Sequence, residues 1–319
     1  MIVNNQLIKQ NLKDFDKNYD YILHEDSKRK SYCSNQLNDN VHLKQMKLFL
    51  SQLNFLNHYY DPNETNDIVY VGAAGGSHII TLSEMFPDLN FHLFDTEPFY
   101  KELNEIPTVY IHNRYFGDYD EEEWKSKPCL FISDIRDLKY DPNETKIQNK
   151  LKNEEYVSND MIIQQGWVKN IKPIHSLLKF KLPSSSEHSS DVKEYLDGTI
   201  YLEPFSNTES METKLCISRE NLYTKNWDLV DYEEKLCHHN FEVRSNHKYK
   251  NPLSNHTMIF EKYGLMNDYD SLYLTNVVMD YLDKINMDKS EENVKNMIEY
   301  IMKNIKLSAE IKHLKSNKL

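Results

Sequence analysis

The sequence predicts an α/β protein with a seven-stranded, mostly parallel sheet and helices on both faces. Two observations carry this. Short apolar runs of strand length alternate with helical patterns, and the first run leads into a glycine-rich turn that opens a helix. The strand candidates are residues 68–71, 91–94, 109–112, 130–133, 174–180, 200–202 and 214–217. Before them, the 41–57 helix carries Leu43, Met46, Phe49, Leu50 and Leu53 as one apolar stripe. Helix candidates 77–85 and 158–171 fall between strands, and 268–285 and 291–305 follow the last one. The pentapeptide DPNET occurs at 61–65 and again at 141–145. Asx-Pro initiates turns, so both copies read as surface turns rather than as a repeat architecture.

Three regions are expected along the chain. A polar N-terminal extension (1–41) precedes the α/β domain (42–250). A helical C-terminal extension (251–319), packed on the same domain, ends in a Lys-rich tail. With 319 residues, 39% of them hydrophobic, the chain can bury a substantial core. It has no apolar run of the ~18 residues that a membrane helix needs, and its first ten residues lack the layout of a secretory signal. Cys33, Cys129, Cys216 and Cys237 are scattered without metal-ligand spacing, so reduced thiols in an intracellular, cytoplasmic protein without a metal are expected. The net charge of −12 argues mildly against a nucleic-acid partner. Its distribution argues back: residues 161–186 contain no acid and hold Lys169, Lys172, Lys179 and Lys181, whereas 118–123 reads DYDEEE. That window is either a local basic track or a chance gap.

Three of the seven glycines, Gly72, Gly75 and Gly76, fall between the first strand and its helix. A turn of this kind lets a ligand approach the backbone at the carboxyl end of the strand. Asp95 lies just past the second strand, where a carboxylate accepts hydrogen bonds from both hydroxyls of an adenosine ribose. The alternative is a plain helix cap. The pattern serves NAD and S-adenosylmethionine alike, and S-adenosylmethionine is favoured because it needs less phosphate-binding apparatus.

Four ionisable residues occupy positions where such sheets do chemistry. Asp134 ends the fourth strand, Lys179 lies near the end of the fifth and Glu212 opens the seventh, while Lys47 borders the apolar stripe of the first helix. Each has a structural alternative: snorkelling for Lys47, a turn cap for Asp134, a cross-strand ion pair for Lys179 with Glu212.

Taken together, QMKLFL (45–50), IVYVGAAGGSHI (68–79), LFISDIR (130–136), KPIHSLLKF (172–180), EPFSNTESMETKL (203–215) and DYEEK (231–235) resemble the poxvirus-type mRNA cap 2′-O-methyltransferase. That protein is also the small, processivity-enhancing subunit of a viral poly(A) polymerase. The resemblance covers roughly residues 43–240. It implies a Rossmann-like, FtsJ-like methyltransferase fold, S-adenosyl-L-methionine as cofactor, capped mRNA as substrate, and a polymerase catalytic subunit as a partner in host cytoplasm or virion. It also implies a Lys-Asp-Lys-Glu tetrad of Lys47, Asp134, Lys179 and Glu212. Cofactor-binding positions carried over are Gln45, Tyr70, Gly72, Gly76, Asp95 and Phe116; Glu233 and Arg136 fall at the cap and RNA. Glu97 stands where the family has an arginine. Ser184 and Ser186 replace the family's aromatic and acid after the base lysine, and Glu209 replaces a tyrosine. Tyr19, Tyr21 or Tyr32 is left to supply a ring that stacks on the cap.

The chemistry needs such a set. The ribose oxygen must lie in line with the sulfonium sulfur, so positioning does much of the work. A lysine accepts the 2′-hydroxyl proton only when neutral, against an ordinary pKa of about 10.4. Burial and a neighbouring cation lower that value and carboxylates raise it. The expected roles are Lys179 as general base, Lys47 as the cation that lowers its pKa, and Asp134 with Glu212 as orienting groups. The competing readings are a non-catalytic or bifunctional RNA-clamping polymerase subunit, a 2′-O-methyltransferase of uncapped RNA, and an NAD-dependent dehydrogenase.

Overall fold

The computed structural model describes residues 20–31, 43–136, 141–185, 190–244, 251–253, 256–263, 265 and 268–305. Its central sheet has seven strands: β1 (Asp67–Val71), β2 (Asn90–Phe94), β3 (Val109–His112), β4 (Leu130–Ser133), β5 (His175–Phe180), β7 (Thr199–Tyr201) and β8 (Thr213–Ser218). The order is β3-β2-β1-β4-β5-β8-β7. The first five strands pair in parallel, while β8 is antiparallel to both β5 and β7. All seven expected strands are present. A pair that the sequence reading did not anticipate, β6 (Val192–Leu196) with β9 (Thr224–Asp228), forms a separate antiparallel ribbon.

Strand alternation divides the core in two. Ile68, Tyr70, Ile132 and Leu177 face one layer with α1 (Lys44–Tyr59) and α2 (Ser77–Met85). Val69, Val71, Phe131 and Leu178 face the other, with Trp124 of α3 (Asp118–Trp124), Val157, Met161 and Trp167 of α4 (Lys146–Ile171), and Leu236 of α5 (Leu229–His238). Helices therefore cover both faces, as burying a parallel sheet requires. Helix α4 starts twelve residues before the expected helix, at a Thr145/Gln148 capping box.

The C-terminal helices α6 (His256–Glu261), α7 (Tyr269–Lys284) and α8 (Glu291–Asn304) follow a short π-helical turn, His239–Val243. Helix α7 lies along α1: Asn54 Nδ2 donates to the Tyr273 hydroxyl at 3.1 Å, and Asn57 Nδ2 donates to the Val277 carbonyl at 2.9 Å. Among the described residues no helix is long and apolar enough to cross a membrane, and no His, Cys, Asp and Glu group could hold a metal ion. Cys129, Cys216 and Cys237 are buried; Cys33 lies outside the described residues.

Candidate active site

Strand order reverses between β1 and β4, and in open α/β sheets the crevice outside the carboxyl ends at such a point takes the ligand. Gly72 leaves β1 there with a φ of +81°; a Cβ on it would lie 2.7 Å from the Ile135 amide nitrogen and 2.8 Å from the Asp134 carbonyl carbon. Only glycine fits both the backbone angle and this approach. The Asp134 amide in turn donates to the Val71 carbonyl at 2.9 Å. The glycine turn and the catalytic candidate Asp134 are thus packed as one unit.

Asp95 braces the turn from the β2 side, accepting from the Ala74 amide through Oδ2 at 2.9 Å and from the Glu97 amide through Oδ1 at 3.0 Å. A carboxylate has about four acceptor sites, so it retains capacity for ribose hydroxyls. Gln45, one residue into α1, accepts on Oε1 from the Ser77 hydroxyl at 2.8 Å and from His78 Nδ1 at 3.1 Å. With that oxygen engaged twice, the Gln45 side chain has its amide N–H groups to offer, which suits a carboxylate. His78 must carry its proton on Nδ1, because Oε1 can only accept. Burial, helped by Lys214 and Lys44 against Asp134, holds its pKa down to about 4. These groups fit the amino-acid and ribose ends of S-adenosylmethionine. Gly76, also at positive φ, starts α2. Tyr70 and Phe116 are interior. The Tyr70 hydroxyl accepts from Gln52 Nε2 at 2.9 Å, and Phe116 packs edge-on against Phe94, Phe131 and Trp167.

At the ends of β4, β5 and β8 the structure gathers a buried ion network: Lys179 Nζ lies 3.4 Å from Asp134 Oδ1, and Lys214 Nζ contacts the same oxygen. Lys179 and Lys214 face each other across the antiparallel β5–β8 pair, a placement that like charges resist and that Asp134 makes tolerable. Behind them Glu203 receives Lys47 Nζ at 3.0 Å on Oε2 and has Lys214 Nζ 3.6 Å from Oε1. Glu212 accepts from Arg136 Nε at 2.9 Å, and Arg136 Nη1 lies 3.5 Å from Asp160. Expected at the RNA, Arg136 is only 9% exposed at its side chain and acts on the site from within.

The charges respond accordingly. Burial alone would raise the Asp134 carboxyl, but Lys179, Lys214 and Lys47 together hold it far below the usual range. Glu212, also opposed by burial, is lowered to about 2 by Lys179, Arg136 and Lys47. Lys179 is pushed down by burial; Asp134 and Glu212 resist, and Lys214 and Arg136 reinforce the shift. Lys47, which burial would lower, is raised by Glu203, Glu212 and Asp134. Lys214 and Arg136 are thus among the cations that push Lys179 down, and Lys47 is paired with Glu203. Lys214 and Glu203 went unrecognised in the sequence, although both lie within the 203–215 block. The structure buries Lys214 to 2% exposure opposite Lys179, a pairing set by the β5–β8 register.

Beside Glu212 opens a cavity of about 340 Å³ lined by Lys150, Glu154, Lys181, Ser184, Glu209 and Glu233, among others. Glu233 accepts from the Ser185 hydroxyl at 2.5 Å. Tyr21 packs edge-on against Tyr201 and bonds His58; Tyr19, Tyr32 and Ser186 lie outside the described residues. Lys181 follows β5 and pairs with Glu154, whereas Lys169 and Lys172 precede β5. These lysines stand at opposite ends of the sheet and form no single basic track.

The model of the poly A polymerase regulatory subunit family matches residues 14–311. A fowlpox virus (strain NVSL) protein named cap-specific mRNA (nucleoside-2′-O-)-methyltransferase is 30% identical over 222 residues, 63% of this chain and 67% of its own length. A protein of the same name from myxoma virus (strain Lausanne) is 26% identical over 228 residues, 64% of this chain and 62% of that one. Among solved structures, bluetongue virus VP4 superposes with a TM-score of 0.42 at 12% identity, over 66% of this chain and 33% of that chain, a likeness too slight to add weight. On the extent of the family match and the fowlpox relative, the chain belongs to the poly A polymerase regulatory subunit family.

Proposed function

We propose that this chain transfers a methyl group from S-adenosylmethionine to the ribose 2′-hydroxyl of RNA, at the first transcribed nucleotide of capped mRNA. The observation that carries this reading is a buried lysine, Lys179, whose pKa is lowered while two carboxylates flank it at the carboxyl end of the sheet. When bound, S-adenosylmethionine supplies an electrophilic methyl on a sulfonium that departs as a neutral thioether. Gln45 and Asp95 hold the cofactor beside the Gly72 turn. Lys179, whose charged form is disfavoured by burial, Lys214 and Arg136, accepts the 2′-hydroxyl proton through its neutral fraction as that oxygen bonds the methyl carbon. The resulting ammonium is balanced by Asp134 and Glu212, which are already in place and need no reorganisation.

The names of the relatives support the capped substrate, and so does the acidic cavity. Glu154, Glu209, Glu212 and Glu233 outnumber Lys150 and Lys181 in its lining, a balance that favours the cationic 7-methylguanine base over a bare phosphate chain. Ser184 in that lining offers no stacking ring, so Glu233 is the cap-reading group assigned here. The family's description supports a second role, as a partner of the catalytic subunit of a poly(A) polymerase in the compartment where viral mRNA is made.

Lys179→Met tests the assignment. It keeps most of the aliphatic stem and removes the amine, so cofactor and RNA binding should persist while the transfer rate falls ~10²–10⁴-fold. Near-wild-type transfer by a folded variant would show that the network is structural.

A further inference from the structure

The two acidic anchors of the site, Glu203 and Glu212, sit at the ends of a ten-residue segment, 203–212, that has no strand or helix of its own. Irregular backbone beside a reacting centre must be held from elsewhere. Its fasteners come from other elements: α5, the turn that follows it, and α7. Arg244, wholly buried, donates through Nε and Nη2 to the two carboxylate oxygens of Asp270 in α7, at 3.1 and 2.7 Å. The same guanidinium donates to the Ser206 hydroxyl at 3.2 Å and to the Ser206 carbonyl at 3.0 Å. The Ser206 hydroxyl passes the contact on, donating to the Glu203 carbonyl at 3.2 Å. Nearer Glu212, Asn240 Nδ2 donates to the Ser210 carbonyl at 2.9 Å and the Tyr232 hydroxyl to the Met211 carbonyl at 2.7 Å.

A buried Arg–carboxylate pair commonly adds little net stability over apolar side chains of similar volume. What the planar guanidinium supplies here is geometry, because one rigid fork bonds helix α7 and the irregular segment at once. We propose that Arg244 is a positioning residue for methyl transfer: clamped by Asp270 and bonded to Ser206, it keeps Glu203 and Glu212 in register with Lys47, Lys214 and Lys179. The C-terminal helices are then part of the catalytic apparatus rather than a cover for the sheet. The inference rests on the proposed methyl transfer.

Arg244→Lys and Ser206→Ala in the full chain test it. The lysine keeps a charge for Asp270 but cannot bond both partners in one plane; the alanine removes only the relaying hydroxyl and should fold. With cofactor saturating, single-turnover transfer should fall tenfold or more in Arg244→Lys and threefold or more in Ser206→Ala, with cofactor Kd within twofold of wild type. Lys179 is flanked by Asp134, Glu212, Lys214 and Arg136, so loosening Glu212 removes a carboxylate that raises its pKa. The pH–rate midpoint should therefore move down by half a unit or more. A folded variant with wild-type rate and midpoint overturns the proposal. So does a lower rate at an unmoved midpoint, which is what loss of stability alone produces. If Arg244→Lys does not fold, Ser206→Ala decides. The Lys179 midpoint can also be read by ¹⁵N NMR without turnover, so failure of wild type to methylate RNA would refute the function and leave the clamp open to its own refutation.

Discussion

Replacing Lys214 with Met should slow methyl transfer at neutral pH by displacing the charge state of Lys179 rather than by removing a reacting group. The two amines lie within reach of one Asp134 oxygen, so they are no more than about 6 Å apart, and at an effective dielectric of ~20 two unit charges at that separation repel by roughly 2–3 kcal/mol. Removing that repulsion raises the Lys179 pKa. Wherever the assay pH lies below the pKa, losing a repulsion of that size cuts the neutral fraction by up to ~100-fold, so transfer should fall by as much and recover as pH is raised. Asp134 and Glu203 would also lose a buried partner, at a cost of about 3–5 kcal/mol in stability. The assay is a single-turnover pH–rate profile with saturating cofactor, run below the melting temperature of the variant. An unmoved or lowered midpoint in a folded Lys214→Met variant would refute the electrostatic argument.

Other outcomes follow from the same contacts. Asp95→Ala loses the brace on Ala74 and the acceptor for ribose, so calorimetry should show cofactor affinity weakened by ~1.5–3 kcal/mol; unchanged affinity would contradict the site. Asp268, the N-cap of α7, is raised to about 7 by burial and by Asp270, against Arg244. A carboxyl raised in the folded state takes up protons on folding, so stability declines as pH rises from about 4 to 7. Asp268→Asn can still cap the helix and should remove that decline, giving a higher Tm at pH 8; an unchanged Tm–pH curve would count against it. Lys169→Glu with Lys172→Glu, at the amino end of β5, should leave RNA affinity and its salt dependence nearly unchanged, and a reduced salt slope would place RNA there after all.

The sheet was legible because its strands are short, mostly apolar runs between turn residues, and all seven were recognised to within two residues at either end. The β6–β9 ribbon was not, because VKEYL and TKNWD mix charged and apolar residues on a largely solvated pair. Helix α4 was cut short for a related reason: Ile147 and Leu151 in its first turns are exposed, so no apolar face marks that half. Within the site, Asp134, Lys179 and Glu212 stood out because they end or open strands. Lys214 needed the antiparallel register opposite Lys179, and Arg244 needed the fold of α7, neither of which is written in local pattern.

The most direct test of the account is transfer of labelled methyl from S-adenosylmethionine to matched short RNAs, one with a 7-methylguanosine cap and one with a 5′-triphosphate, followed by nuclease mapping of the label. The account predicts label on the ribose 2′-oxygen of the first transcribed nucleotide of the capped RNA, with little on the uncapped one. Label on a base, equal labelling of both RNAs, or no transfer by a protein that binds the cofactor would contradict it.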